Sequence, residues 1–99
     1  VAGTWQTGLE VLKQLNRRGT AVPGQVSLVT FDNLPVCEAA KPPLTCIDEP
    51  INRIAELAMA KLAFRIDHPQ VTPSVSRLPC ILVRRESTIA PNQTQTISK

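Results

Sequence analysis

The sequence predicts an α/β domain built on a parallel sheet with flanking helices. Three observations lead there. A helical apolar stripe over Thr4–Arg18 runs through a short turn into an apolar, β-branched run, Val26–Phe31. Helix followed by strand at this spacing is half of a β-α-β unit, whose strands lie parallel. Two further short apolar runs, Thr45–Ile47 and Leu78–Val83, alternate with a second strong helical pattern. Finally, the first strand closes on Asp32-Asn33. Polar side chains at the carboxyl end of a buried parallel strand face the crevice in which open α/β sheets bind ligands.

The first helix rests on Trp5, Leu9, Leu12 and Leu15, with Val11 widening the stripe. That spacing repeats every three to four residues and lines one helical face. Thr4 is placed to cap it, Arg17 and Arg18 suit the negative end of its dipole, and Gly19 suits the left-handed position that follows. Gly8 inside the helix costs about 1 kcal/mol against Ala, which points to close packing there. Pro23-Gly24 marks the turn into the strand. Leu34–Pro43 reads as a loop with one helical turn at Val36–Ala40, and Lys41-Pro42-Pro43 steers the chain into the second strand. Pro50 then opens a long helix at the position where its missing N–H costs nothing. Its stripe of Ile51, Ile54, Ala55, Ala58, Leu62 and Ile66, broadened by Leu57, Met59, Ala63 and Phe64, predicts a helix covered on more than one side. Met59 and Phe64 read as core. Leu78–Val83 reads as a buried closing strand, and the polar tail after Pro91 as disordered.

Ninety-nine residues suffice for one small core. With 42% hydrophobic and 19% charged residues the chain is of globular rather than disordered composition. No apolar run is long enough to span a bilayer. The net charge of +3 is mild, and its basic residues are scattered rather than gathered on one face, which argues against direct nucleic-acid contact by this segment. Val1-Ala2-Gly3 lacks the features of a signal peptide, and no strand precedes the first helix. Both observations read as a piece of a longer chain, one whose unpaired sheet edges favour self-association.

The sequence offers no catalytic chemistry. It holds no Gly-x-Ser-x-Gly elbow, no glycine-rich dinucleotide fingerprint and no phosphate loop. His68 is the single histidine; it closes the long helix, with no Cys or second carboxylate at ligand spacing, and reads as a loop residue. Asp48-Glu49 complement the dipole of the helix that follows. Cys37, Cys46 and Cys80 have no metal or redox spacing and read as small buried hydrophobes of a reducing cytosol. No catalytic residue, metal or cofactor is expected.

The order of motifs carries more than any one of them. Leu12 through Arg18-Gly19, then Val22-Pro23, then VSLVTFDN, PPLTCI, a long helix and LPCILVRREST together resemble the C-terminal part of the LacI/GalR family of bacterial transcription regulators. The resemblance runs from about Gly3 to Pro91. It implies a fragment of a periplasmic-binding-protein-like fold that contributes to two lobes. Residues 1–44 would belong to the C-terminal effector-binding lobe, 45–50 to a hinge crossover, and 51–90 to a segment returning to the N-terminal lobe plus the closing strand. Residues 91–99 would be a flexible tail. A small-molecule effector, a sugar or related compound, would bind between lobes and control operator DNA binding by a headpiece outside this sequence. The implied setting is a cytoplasmic homodimer with no enzymatic activity. A periplasmic sugar-binding protein is the alternative with the same fold.

Residue by residue, Asp32 matches the first Asp of the family's Phe-Asp-Asp and is the expected effector contact, with Asn33 beside it. Thr4 and Trp5 stand where the family often has Asn-Asp. Trp5 could stack on a sugar ring or simply belong to the core. Thr30 replaces the family's Gly and Asn33 its second Asp, so no particular sugar carries over. Leu9, Leu12, Leu34, Val36 and Cys37 are expected at a dimer interface, and Thr45, Cys46 and Ile47 at the hinge.

Overall fold

The computed structural model describes residues 1–91; the tail expected to be flexible lies, beyond Pro91, outside them. The elements in chain order are α1 (Trp5–Arg17), β1 (Val29–Phe31), α2 (Pro35–Ala39), β2 (Thr45–Asp48), α3 (Ile51–Asp67) and β3 (Ile81–Val83). They fall into two compact units, one of Val1–Asp48 with the chain from Ile81 onward, the other of Glu49–Cys80.

In the first unit α1 forms as its local chemistry dictates. The Thr4 hydroxyl accepts from the Thr7 N–H at 3.2 Å, which satisfies a free donor of the first turn. Gly19 takes φ +71° beyond the last turn, a conformation that costs glycine nothing. The sheet runs in the order β1-β2-β3. β1 and β2 are parallel, pairing Val29 with Thr45 and Phe31 with Ile47. β3 adds antiparallel to the other side of β2, so the predicted parallel sheet carries one antiparallel edge. Ala2 bridges Thr30 in parallel on the outer side of β1. The core gathers Ala2, Leu12, Leu28, Cys37, Leu44 and Cys46, with Trp5, Leu9, Val22 and Ala40 packed around it.

Two strands are shorter than their apolar runs. Only Val29–Phe31 of Val26–Phe31 and only Ile81–Val83 of Leu78–Val83 are paired. A strand extends only as far as a neighbour supplies partners, and β2 supplies three to each. Ile81 and Leu82 are exposed rather than buried, because nothing among the described residues covers the sheet there.

The second unit is α3 and the extended segment after it. Pro50 sits just before the first helical residue, within the usual latitude of a helix end. The predicted coverage is absent among the described residues. No residue of α3 is buried, and Met59 (64%) and Phe64 (51%) stand open to solvent, as do Ile51, Ile54, Leu62 and Ile66. One helix and one extended strip cannot enclose an apolar stripe that wide. His68 ends α3, where its ring stacks on Phe64 with centroids 4.3 Å apart. Cys80 is exposed, unlike Cys37 and Cys46.

Candidate ligand site at the carboxyl end of the sheet

Sheet register brings the expected effector residues to one end. Ala2 bridges Thr30 in parallel, so two residues further on Thr4 comes alongside Asp32. Phe31 pairs with Ile47, so Asp48 flanks Asp32 on the other side. The alignment is locked at three points. The Ala2 N–H donates to the Val29 carbonyl at 2.8 Å, the Phe31 N–H to the Ala2 carbonyl at 3.2 Å, and the Thr30 hydroxyl to the Thr4 carbonyl at 2.8 Å. The start of α1 is thereby fastened to the end of β1.

Asp32 is the one described non-glycine residue with positive φ, at +74°. This left-handed conformation costs an L residue roughly 1 kcal/mol, less for Asp and Asn than for others. Its N–H still donates to the Ile47 carbonyl at 3.1 Å, so the sheet holds it in place. The side chain is half-buried, and its ionised oxygens accept hydrogen bonds only.

Asn33 is fixed by Arg85. A guanidinium N–H of Arg85 donates to Asn33 Oδ1 at 2.6 Å, while Asn33 Nδ2 faces Asp48 Oδ2 at 3.5 Å. Arg85 is itself held at the Leu44 carbonyl (2.9 Å) and Cys46 Sγ (3.2 Å), and its backbone N–H donates to Thr45 Oγ1 at 3.0 Å. Burial, with Cys37 beside it, pushes the Cys46 thiol up to about 11, against the opposing pull of Arg85. Cys46 is therefore a neutral thiol against which the guanidinium packs.

The expected residues separate as follows. Thr4, Asp32 and Asn33 converge at this end of the sheet. Trp5 is half-buried and packs against the core. Of the five expected at a dimer interface, Leu12 (5%) and Cys37 (0%) are buried in the unit's own core. Leu9 is half-buried, and Leu34 and Val36 are exposed. Thr45, Cys46 and Ile47 form the central strand, paired on both sides. The chain passes from one unit to the other only after Asp48 and before Ile81.

The family profile described as periplasmic binding protein-like domain matches residues 1–88. The chain belongs to the periplasmic binding protein-like domain family. Its relatives there are LacI/GalR-type regulators, and it corresponds to their effector-domain part. It is 42% identical over 88 residues to the HTH-type transcriptional regulator GalR of Salmonella typhimurium strain LT2, covering 85% of this chain and 25% of that protein. The transcriptional regulator LacI of Bacillus cereus subsp. cytotoxis superposes with a TM-score of 0.80 at 30% identity, over 90% of this chain and 32% of the other. The complex of transcriptional regulator CelR with cellobiose gives 0.79 at 31% identity, over 87% and 26%. The chain thus spans about a quarter of the length of the GalR relative.

Within this periplasmic binding protein-like unit, the sequence reading missed three contributors: Arg85, Asp48 and Ser87. In the sequence, Arg85 and Ser87 are visible only as part of LPCILVRREST. Ser87, fully buried, donates to the Leu28 carbonyl and accepts from the Thr45 N–H at 2.8 Å, tying the returning chain to β1 and β2. Asp48 stood as a helix-dipole residue, whereas its carboxylate faces Asn33. These partners lie 15 to 59 positions apart, so no local spacing could reveal them.

Proposed function

We propose that this chain is the effector-binding and dimerisation part of a LacI-type bacterial transcription regulator, cytoplasmic and non-enzymatic. Its effector is a sugar or a chemically related polyol, and operator DNA is bound by a headpiece outside this sequence. The observation that carries the reading is Asp32: a half-buried carboxylate in a left-handed conformation at the carboxyl end of the parallel pair. A carboxylate accepts strongly from hydroxyl donors. The cellobiose complex of CelR, similar over most of this chain, supports the sugar class.

Effector binding shifts the population of lobe arrangements, and operator affinity follows by linkage. The segments that adjust are the crossings after Asp48 and before Ile81. Leu9, Leu34 and Val36 supply the apolar surface for a second copy.

The test is calorimetric titration of the full polypeptide carrying this chain with cellobiose, D-galactose and D-ribose. Asp32→Asn is the informative variant, since Asn also tolerates positive φ and keeps the shape. A hydrogen bond to a charged group is worth about 1.5–3 kcal/mol, so D32N is expected to weaken sugar binding roughly tenfold to a hundredfold. Unchanged affinity in D32N would remove Asp32 from the site and the reading with it.

A further inference from the structure

The ligand end of the sheet is shaped by a residue that reaches it from 52 positions further along the chain. Arginine has five N–H donors and no acceptor, so Asn33 must turn its carbonyl oxygen to Arg85. The amide plane is then set: Oδ1 is taken at 2.6 Å, and Nδ2 points towards Asp48. One N–H of Asn33 remains uncommitted, next in sequence to the acceptor Asp32. An unrestrained side-chain amide flips between its two orientations at little cost, and in the wrong one it would present oxygen where a donor is required. The guanidinium is held at the Leu44 carbonyl and Cys46 Sγ and the Arg85 backbone N–H at Thr45 Oγ1, all on residues at most 1% exposed.

We propose that Arg85 is a positioning residue of the effector site: it fixes the orientation of the amide of Asn33, the residue next in sequence to Asp32. This rests on the reading of Asp32-Asn33 as the ligand contact. A carboxylate or phosphate would meet Asp32 as a like charge, so the site favours a neutral ligand bearing hydroxyls. Lysine cannot substitute, since a compact ammonium does not hold Asn33 Oδ1, the Leu44 carbonyl and the Cys46 sulfur at once in a planar fork.

Two measurements on the full polypeptide decide it. Asparagine-selective 15N spectra, assigned with Asn33→Asp, report the Asn33 side-chain amide directly. Arg85→Met and Arg85→Lys are both expected to move that amide pair towards the position of a freely rotating asparagine; an unmoved pair in both variants overturns the proposal. Cellobiose titration gives the functional arm. R85M is expected to weaken binding about tenfold, as for loss of a well-oriented hydrogen bond. In an Asn33→Ala background the same change should cost no more than about twofold, because Arg85 acts through Asn33. An equal loss in both backgrounds marks a merely structural residue and overturns the proposal. Should R85M not fold, R85K carries both arms. If the wild type binds none of the sugars tested, the sugar reading fails, while the amide spectra still decide the role of Arg85.

Discussion

Gly8 is buried where α1 passes over β1, and replacing it with alanine sets a sharp test of that packing. A β-carbon at Gly8 would stand 2.7 Å from Thr30 Oγ1 and 2.8 Å from Thr30 Cβ, both inside van der Waals contact. Thr30 has nowhere to go: it is fully buried, and its hydroxyl is committed to the Thr4 carbonyl. Opposing terms follow from Gly8→Ala. The helix gains about 1 kcal/mol of propensity. Forcing a methyl into a packed site costs roughly 1–3 kcal/mol, and displacing the Thr30 hydroxyl loses about 1 kcal/mol more. The steric terms win, and the net loss is about 1–3 kcal/mol, with Tm falling about 4–8 °C for each kcal/mol in a domain of this size. Urea unfolding followed by Trp5 emission measures it, since Trp5 is the sole tryptophan and sits on the same helix. Thr30→Gly removes both atoms that the new methyl would meet. The G8A/T30G pair should therefore show a favourable coupling of at least about 1 kcal/mol. An urea midpoint for G8A at or above that of the wild type would refute close approach as the reason for this glycine.

Two further expectations concern the buried polar centre. The folded state holds the Cys46 proton up to about 11 against an ordinary 9.0, so its contribution is complete below the lower value and is lost as pH climbs through the higher. The stability of wild type minus Cys46→Ala should thus fall as pH rises across that window. No tyrosine titrates alongside it, and a flat difference in denaturation curves would contradict the burial argument. Ser87→Ala leaves the Thr45 N–H and the Leu28 carbonyl without their partner. At about 1–3 kcal/mol for each orphaned group, thermal melts should show a loss of roughly 2–6 kcal/mol, and a loss well under about 1 kcal/mol would show that Ser87 does not tie the returning chain to the sheet.

Much of the candidate site was legible because its signals are local. Asp32 was marked by ending an apolar run, and the structure puts it at the carboxyl end of β1 in the left-handed conformation that Asp tolerates. Thr4 was marked as a cap and caps α1. Gly8 was marked as a site of close approach, and Thr30 is what it approaches. The misjudged residues are those whose fate depends on distant partners. Cys80 looks like a small buried hydrophobe, as Cys37 and Cys46 are, until the fold leaves it exposed. Met59 and Phe64 look like core until the described chain supplies nothing to cover them.

The sequence alone thus determined where helices start and stop, which runs become strands, and which carboxylate ends a strand. Caps, turns and apolar periodicity act within a few residues and are written in order along the chain. Only the tertiary structure decided that β3 runs antiparallel to β2, that Ser87 ties the returning chain to β1 and β2, and that Arg85 reaches back to Asn33. Pairing and burial are relations between residues far apart in sequence, and a hydrogen bond of fixed length can be read only once the fold has brought its two ends together.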